Sequence, residues 1–369
     1  MRKILTLSRV AAICSLGVLA VACGSDDTTS DNTSATPSET TVEIVTADTA
    51  GTTGPTDTSS NDELPTIVVT TNILGDIVTQ TVGDLAEVEV IMPAGADPHD
   101  FAPSARQAES MENADLLVTN GAGFEEGMLV ILEQVESSGT PVFSFAEQIE
   151  LIEFFGEEHS DDEHSDEEHS DEEPKPSGTD DADHSSEEHS GGDPHIWNDP
   201  SRMITAVEAF GVEFASLDGV DAAAVEAQVQ SYVDKLIALD AEMENTLSTI
   251  PAEQRVLVTN HEVFGYFADR FSFEVVGAVI PSSTTNAESS TAEVEALVDL
   301  IEQEQIPAIF ADTSSPTRLA EAIASSASGE VRVVALYSES LGEPGSGADT
   351  YLTMMATNAT LIADSLTPA

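Results

Sequence analysis

The segment DAAAVEAQVQSYVDKLIALDAEMENTLSTI, residues 221–250, contains no glycine and no proline. It reads as one helix of about 28 residues, which at 1.5 Å per residue would extend ~42 Å. A split into two helices would need a break that nothing in the stretch marks. A helix this long can cross between two domains and act as a stiff connector. The chain has 369 residues, enough for two domains once tails are set aside.

What flanks the rod has one pattern on both sides. Before it, strand-like LPTIVVTTN, EVEVIMP, LLVTNG and PVFSF alternate with helical segments such as ILGDIVTQTVG and the stretch from Arg106 to Asn113. After it come RVLVTN, FEVVGAVI, AIFAD and VRVVAL, again with helices between them and a last helix running to Leu366. Short β-branched runs alternating with helices imply parallel sheets, hence an α/β fold of two Rossmann-like lobes. The expected organisation is an N-terminal lobe over 64–218, a connecting helix over 219–250 and a C-terminal lobe over 251–369. Open parallel sheets bind ligands at the carboxyl ends of their strands, so the cleft between the lobes is the expected site.

Three segments stand outside this pattern. Residues 1–22 carry Arg2, Lys3 and Arg9 and then an apolar run from Val10 to Ala22. That run falls short of the roughly 20 residues a membrane span needs and reads as an export signal. LAVAC, ending at Cys23, has the form of a bacterial lipobox, so Cys23 is the expected lipidation site. From there to residue 63 the composition is that of a disordered stalk. The third segment, 157–192, holds five of the eight histidines, His159, His164, His169, His184 and His189, among serines and acids. It has too little apolar surface to offset the entropy of ordering. Its repeated His-Ser-acid unit reads as an accessory metal collector, and the competing reading is a solvated insertion with incidental affinity.

Composition narrows the chemistry. The only cysteines are Cys14 and Cys23, and removal of the signal leaves one, which carries lipid. That excludes an intrachain disulfide and a thiolate metal site, so a transition-metal site must be built from histidine and carboxylate. The formal charge of -58 argues against a nucleic-acid partner, which requires a basic surface. Acidity attracts cations, though adaptation to a salty habitat would also account for the scattered acids.

Outside the acidic segment three histidines remain: His99 in PAGADPHDFAPS, His195 in GGDPHIWNDP and His261 in VLVTNHEVFGYFADRF. Each follows a strand or loop in a turn-rich setting. Three imidazoles plus a carboxylate would complete a tetrahedral zinc site. The spacing is too wide for a local finger, so the fold must assemble it. A secreted zinc hydrolase is the main rival. HEVFG begins like an H-E-x-x-H helix, but its fifth residue is Gly265, and no Gly-x-Ser-x-Gly elbow is present. An enzyme is therefore not expected.

PAGADPHDFAPS, DPHIWNDP, NHEVFGYFADRF, GAVIPSSTTNAESS and LYSESLGEPGSGADTYLTMMATN run in this order over about 300 residues. This ordered set resembles the metal-specific solute-binding lipoproteins of ABC importers, the zinc and manganese class. The resemblance implies two Rossmann-like lobes joined by a rigid helix, with one metal held between them. It implies His99 and His195 as ligands from the first lobe and His261 from the second. Manganese-type relatives typically carry glutamate at the third position, so a histidine there points to Zn²⁺. The fourth ligand matches Glu339, with Asp312 in IFADTSSP as the competing carboxylate and water as a third possibility. Pro98 stands where some zinc relatives place a ligating glutamate.

Asp97, Asp193, Asn198 and Glu262 lie close enough in sequence to orient the imidazoles, or to serve as turn formers and helix caps. The implied function is an extracytoplasmic, membrane-anchored receptor, monomeric, that delivers Zn²⁺ to a permease with its ATPase. A manganese receptor or adhesion lipoprotein is the alternative within the same family. Acid release of the metal is expected near or below the imidazole reference pKa of ~6.5.

Overall fold

The structure is a computed structural model that describes residues 64–154 and 192–367. The export signal, Cys23, the stalk and the five histidines of the acidic segment lie outside the described residues. Among those described, the first half holds β1 (Thr66–Val69), α1 (Asn72–Val82), β2 (Glu87–Val90), α2 (Ala105–Glu112), β3 (Leu116–Thr119), α3 (Leu129–Ser138), β4 (Val142–Ser144) and α4 (Pro200–Phe214). Helix α5 (Ala222–Leu247) follows. The second half holds β5 (Val256–Thr259), α6 (Gly265–Phe271), β6 (Glu274–Ala278), α7 (Thr291–Glu304), β7 (Ala308–Asp312), α8 (Arg318–Ser326), β8 (Arg332–Leu336) and α9 (Tyr351–Leu366).

The strands form two four-stranded parallel sheets, ordered β2-β1-β3-β4 and β6-β5-β7-β8. The two lobes thus repeat one topology. Period-two alternation sends neighbouring side chains to opposite faces of a strand, and the cores follow it. Ile67 and Val69 enter the central core while Val68 enters an outer one. In β7, Ala308 and Phe310 face the central core while Ile309 and Ala311 face the outer core of the second sheet. Each sheet is covered on both faces at its centre, which is why the inner strands β1, β3, β5 and β7 read as continuous apolar runs.

The central core extends from Ile67 to Leu366 and includes the buried residues of α4, α5 and α9. Helix α5 has 26 residues, about 39 Å, slightly shorter than the stretch free of glycine and proline. The Asp221 carboxylate accepts from the N–H groups of Ala223 and Ala224 and starts the helix there. Val225, Tyr232, Leu236, Leu239 and Met243 repeat at three-, four- and seven-residue intervals along its buried face. They pack it against α1, α4 and α9. The rod is therefore clamped along its length by elements from both halves, since α9 belongs to the second half and α1 and α4 to the first. No helix among the described residues is long and apolar enough to cross a membrane.

Candidate metal centre

Two of the three isolated histidines sit in the same tripeptide, Asp-Pro-His, and the same local device positions both. Asp97 accepts the backbone N–H of His99 at 3.0 Å, and Asp193 accepts that of His195 at 2.9 Å. An aspartate bonding backbone two residues on is a turn former, and the proline between fixes φ. His99 follows β2, and His195 opens a short 3₁₀ turn (Ile196–Asn198) leading into α4. His261 lies just beyond the end of β5, where its carbonyl accepts from the Thr259 hydroxyl at 2.7 Å. Glu339 lies three residues past β8. All four thus hang from connections beyond the carboxyl ends of strands, where the two sheets face one cleft.

One donor atom from each of His99, His195, His261 and Glu339 lies within 4.8 Å of the others, and all four side chains are buried. The three Nε2 atoms converge on Glu339 Oε1, at 2.9 Å from His99, 3.0 Å from His261 and 3.4 Å from His195. Among the described residues His195 Nε2 and Glu339 Oε2 find no hydrogen-bond partner of good geometry. Buried lone pairs left so are costly, and a cation between them would satisfy them.

The far side of two rings is held by carboxylates. Asp193 Oδ1 lies 2.7 Å from His195 Nδ1, and Glu126 Oε1 lies 3.0 Å from His99 Nδ1. Each carboxylate accepts the Nδ1–H, so that once the ring gives up its other proton Nε2 presents a lone pair to the cluster. Burial pushes His99 down, but the bonds to Glu126 and Glu339 outweigh it and raise the ring to about 10. His195 is likewise raised against its burial, by Asp193 first and Glu339 next. Glu339 is pushed up by burial, yet the histidines hold it well below the ordinary carboxylate value, His261 most strongly. The free-imidazole value near 6.5 is thus the wrong reference for proton competition here. Surrounding carboxylates move that competition to higher pH.

Asp312 lies outside the four-donor cluster. Its Oδ2 accepts from Ser338 N–H at 3.2 Å and from the Ser338 hydroxyl, and its Oδ1 accepts from Ser314. Burial and the Glu339 charge push its carboxyl up. It ties down the segment that carries Glu339 from the second-lobe side. The first lobe holds the same segment. Trp197 Nε1–H donates to the Ser338 carbonyl at 2.8 Å, Leu341 N–H donates to Asn72 Oδ1 at 2.8 Å, and Asn72 Nδ2 donates to the Ser340 hydroxyl at 3.0 Å.

Of the residues expected to orient the rings, Asp193 does so. Asp97 reaches only the backbone of His99, and Asn198 donates to the carbonyls of Val263 and His195. Glu262 lines a cavity of about 250 Å³ together with Asp193 and Phe264. Sequence reasoning missed Glu126, Asn72 and Trp197. The acidic pair in GFEEGM, in an otherwise apolar and glycine-rich loop after β3, was the available signal for Glu126. Its neighbour Glu125 is buried and accepts from the Thr70 hydroxyl at 2.7 Å and from Asn120 N–H at 2.6 Å.

Gly127 lets this loop pass close to the turn after His99. A Cβ there would lie 2.3 Å from the Phe101 carbonyl oxygen, which as backbone cannot swing aside. Gly127→Ala is expected to destabilise the metal-free protein by about 1–3 kcal/mol. The loss should be larger when metal is present, because Glu126 and His99 shift apart. Denaturant unfolding with and without metal checks both.

The profile of the family described as zinc-uptake complex component A, periplasmic, matches residues 67–365. The chain is a member of the zinc-uptake component A family. Similar proteins include the manganese-binding lipoprotein MntA of Halalkalibacterium halodurans, 26% identical over 303 residues, covering 82% of this chain and 89% of MntA. The zinc-binding protein TroA of Treponema pallidum is 27% identical over 301 residues, covering 80% and 87%. The manganese ABC transporter substrate-binding lipoprotein PsaA of Streptococcus pneumoniae is 24% identical over 314 residues, covering 84% and 90%. The solved structure of periplasmic TroA superposes with a TM-score of 0.69 and covers 83% of this chain and all of TroA. This member of the zinc-uptake component A family is thus a metal-binding, substrate-binding protein of an ABC importer, and the family is one of receptors, not enzymes.

Proposed function

We propose that the chain captures Zn²⁺ through the Nε2 atoms of His99, His195 and His261 and a carboxylate oxygen of Glu339, and delivers it to the permease and ATPase of its importer. The observation that carries this reading is the convergence of three ring nitrogens on one carboxylate oxygen, two of the rings backed by carboxylates. Bonds of about 2.0–2.1 Å to a tetrahedral zinc imply donor separations of ~3.3 Å. The Nε2-to-Oε1 separations of 2.9, 3.0 and 3.4 Å lie within a few tenths of that, and all four donors lie within 4.8 Å of one another, so modest side-chain shifts let them close on the ion. A set of three nitrogens and one oxygen suits zinc, whereas manganese favours oxygen-rich sites of higher coordination. The names of MntA and PsaA favour manganese as the second reading.

In this proposal Asp312, Trp197 and Asn72 hold the carboxylate in place before the ion arrives. The clamped α5 limits the lobes to small motions, and docking on the permease opens the site. The monomeric receptor works outside the cytoplasm, tethered by lipid on Cys23 with the stalk giving reach. His159, His164, His169, His184 and His189 collect zinc near the cleft. Asp193 N–H donates to the Ile152 carbonyl at 2.8 Å, so the chain ends flanking that segment meet and its excision leaves the base closed.

A variant lacking residues 157–191, exposed to equal zinc and manganese and then desalted, is expected to retain about one zinc per chain. Changing His99, His195 and His261 together to alanine should abolish that retention. Preferential retention of manganese would establish the second reading. Loss of all metal on excising the segment would mean that the acidic histidines are the real binder. Unchanged uptake by the excised protein at scarce zinc would remove the collector role.

A further inference from the structure

Three consecutive side chains of the second lobe, Thr284, Thr285 and Asn286, reach across the cleft to the surroundings of His99. The Thr284 hydroxyl donates to Glu126 Oε2 at 3.1 Å, and the Thr285 hydroxyl donates to Asp97 Oδ2 at 2.8 Å. Asn286 Nδ2 donates to the His99 carbonyl at 3.0 Å and to Glu126 Oε2 at 3.2 Å. The acceptors in turn grip His99. Glu126 uses its other oxygen on the ring Nδ1–H, and Asp97 uses its other oxygen on the backbone N–H. Every polar handle of His99 other than Nε2 is therefore held directly or indirectly by these three residues, while Nε2 faces Glu339. Thr284, Thr285 and Asn286 lie in the connection between β6 and α7, away from His261 and Glu339 in sequence, and none belongs to the four-donor cluster.

We infer that Thr284, Thr285 and Asn286 form a clasp that acts through Glu126 and Asp97 to lock the His99 imidazole in its ligating orientation when the lobes are together, and so sets how slowly metal leaves. The inference rests on the reading of His99 as a zinc ligand. Its physical basis is coupling. Glu126 divides its two oxygens between a ring of the first lobe and donors of the second, so separation of the lobes removes the donors that fix the carboxylate. The ring then loses its fixed backing. Partners of this kind, one bond removed from the ion, typically carry 10–100-fold in metal affinity. Because they are hydrogen bonds across a partly exposed cleft, they can break and re-form as the lobes part. Glu126 and Asn286 are positioning residues, not ligands.

The test uses full-length zinc-loaded protein and follows zinc transfer to an excess of a chromophoric chelator by stopped flow. Glu126→Ala, Asn286→Ala, the pair, the triple alanine change at 284–286, and His99→Ala are compared with the parent. Glu126→Ala and the triple change are each expected to speed dissociation by 10–100-fold. The Glu126→Ala/Asn286→Ala pair should exceed Glu126→Ala only by the small share of the direct Asn286–His99 carbonyl bond, well short of the product of the single effects, because residues acting through one another are not additive. Glu126→Gln keeps an acceptor for Nδ1–H but presents N–H donors where Thr284 and Asn286 donate, so it should stay nearly as fast as Glu126→Ala. Thermal unfolding of the metal-free Asn286→Ala and triple-alanine proteins should stay close to the parent, separating the clasp from a general structural role, whereas Glu126→Ala also removes the partner of protonated His99 and is left out of this comparison. Multiplicative effects in the pair, or a parental rate in the triple change, would overturn the clasp while leaving the zinc site intact. If the parent holds no zinc, or His99→Ala holds it as well as the parent, the ligand assignment fails and the clasp falls with it.

Discussion

Glu339→Ala is expected to lower zinc affinity by about two to three orders of magnitude. Four-ligand zinc sites bind with roughly 10–16 kcal/mol. An even share for one ligand is then about 2.5–4 kcal/mol, and 1.4 kcal/mol is tenfold. The carboxylate has a second role that favours the upper end of this range. Its Oε1 is the shared neighbour of all three Nε2 atoms, so its removal also takes away the negative charge that offsets the ion. Competition titration against a chelator of known affinity measures the loss. Asp312→Asn is the matched control. It neutralises the other buried carboxylate nearby, whose oxygens are already engaged with Ser314 and Ser338, and it should cost less than about tenfold. A larger effect from Asp312→Asn than from Glu339→Ala would reverse the choice of fourth ligand.

Zinc binding at pH 7 is expected to expel at least one proton per ion, and affinity should fall about tenfold or more for each pH unit of acidification. His99 is raised to about 10, so its Nε2 is protonated at neutral pH in the metal-free protein, while its Nδ1–H remains on Glu126. Ligation needs that Nε2 lone pair, so the proton must leave. His195, also raised, steepens the dependence. The sign for folding without metal is the opposite. The stabilisation from protonated His99 is complete below the ordinary value of 6.5 and is lost as pH rises through about 10. That from ionised Glu339 is present above its ordinary 4.5 and is lost as pH falls through its lowered folded value. Both contributions are complete together only between 4.5 and 6.5, a range in which protons already compete with zinc for His99. Calorimetric titration at pH 7 in buffers of different ionisation heat reads the proton count directly. A binding enthalpy independent of buffer would contradict the raised imidazoles.

Much of this was legible in the order of residues. The strands of both sheets, the uninterrupted α5 and the three isolated histidines could be read locally, because apolar periodicity, Gly and Pro placement and residue type are local properties. Where α5 begins was blurred by a few residues. Alanine continues the pattern on paper, and only the Asp221 cap shows where helical hydrogen bonding starts. Asp193 was readable as the partner of His195 because it lies two residues away. Asp97, in the identical tripeptide, was not distinguishable from it, although its second oxygen goes to Thr285, 188 residues distant.

By itself, the sequence determined the two-lobe parallel α/β architecture and the short list of donors, with no cysteine anywhere in the two lobes. Those follow from pattern and from which side chains exist at all. Only the tertiary structure decided that Glu339 and not Asp312 faces the three Nε2 atoms. Glu126, not Asp97, backs the His99 ring, and Asn72 and Trp197 of one lobe hold the carboxylate segment of the other. These choices depend on chain segments 27 to 269 residues apart meeting in one cleft. A carboxylate's role is set by which donors reach it there, and of two acids of like chemistry one faces the imidazoles and the other braces the loop only because the fold aims the first inward and saturates the second.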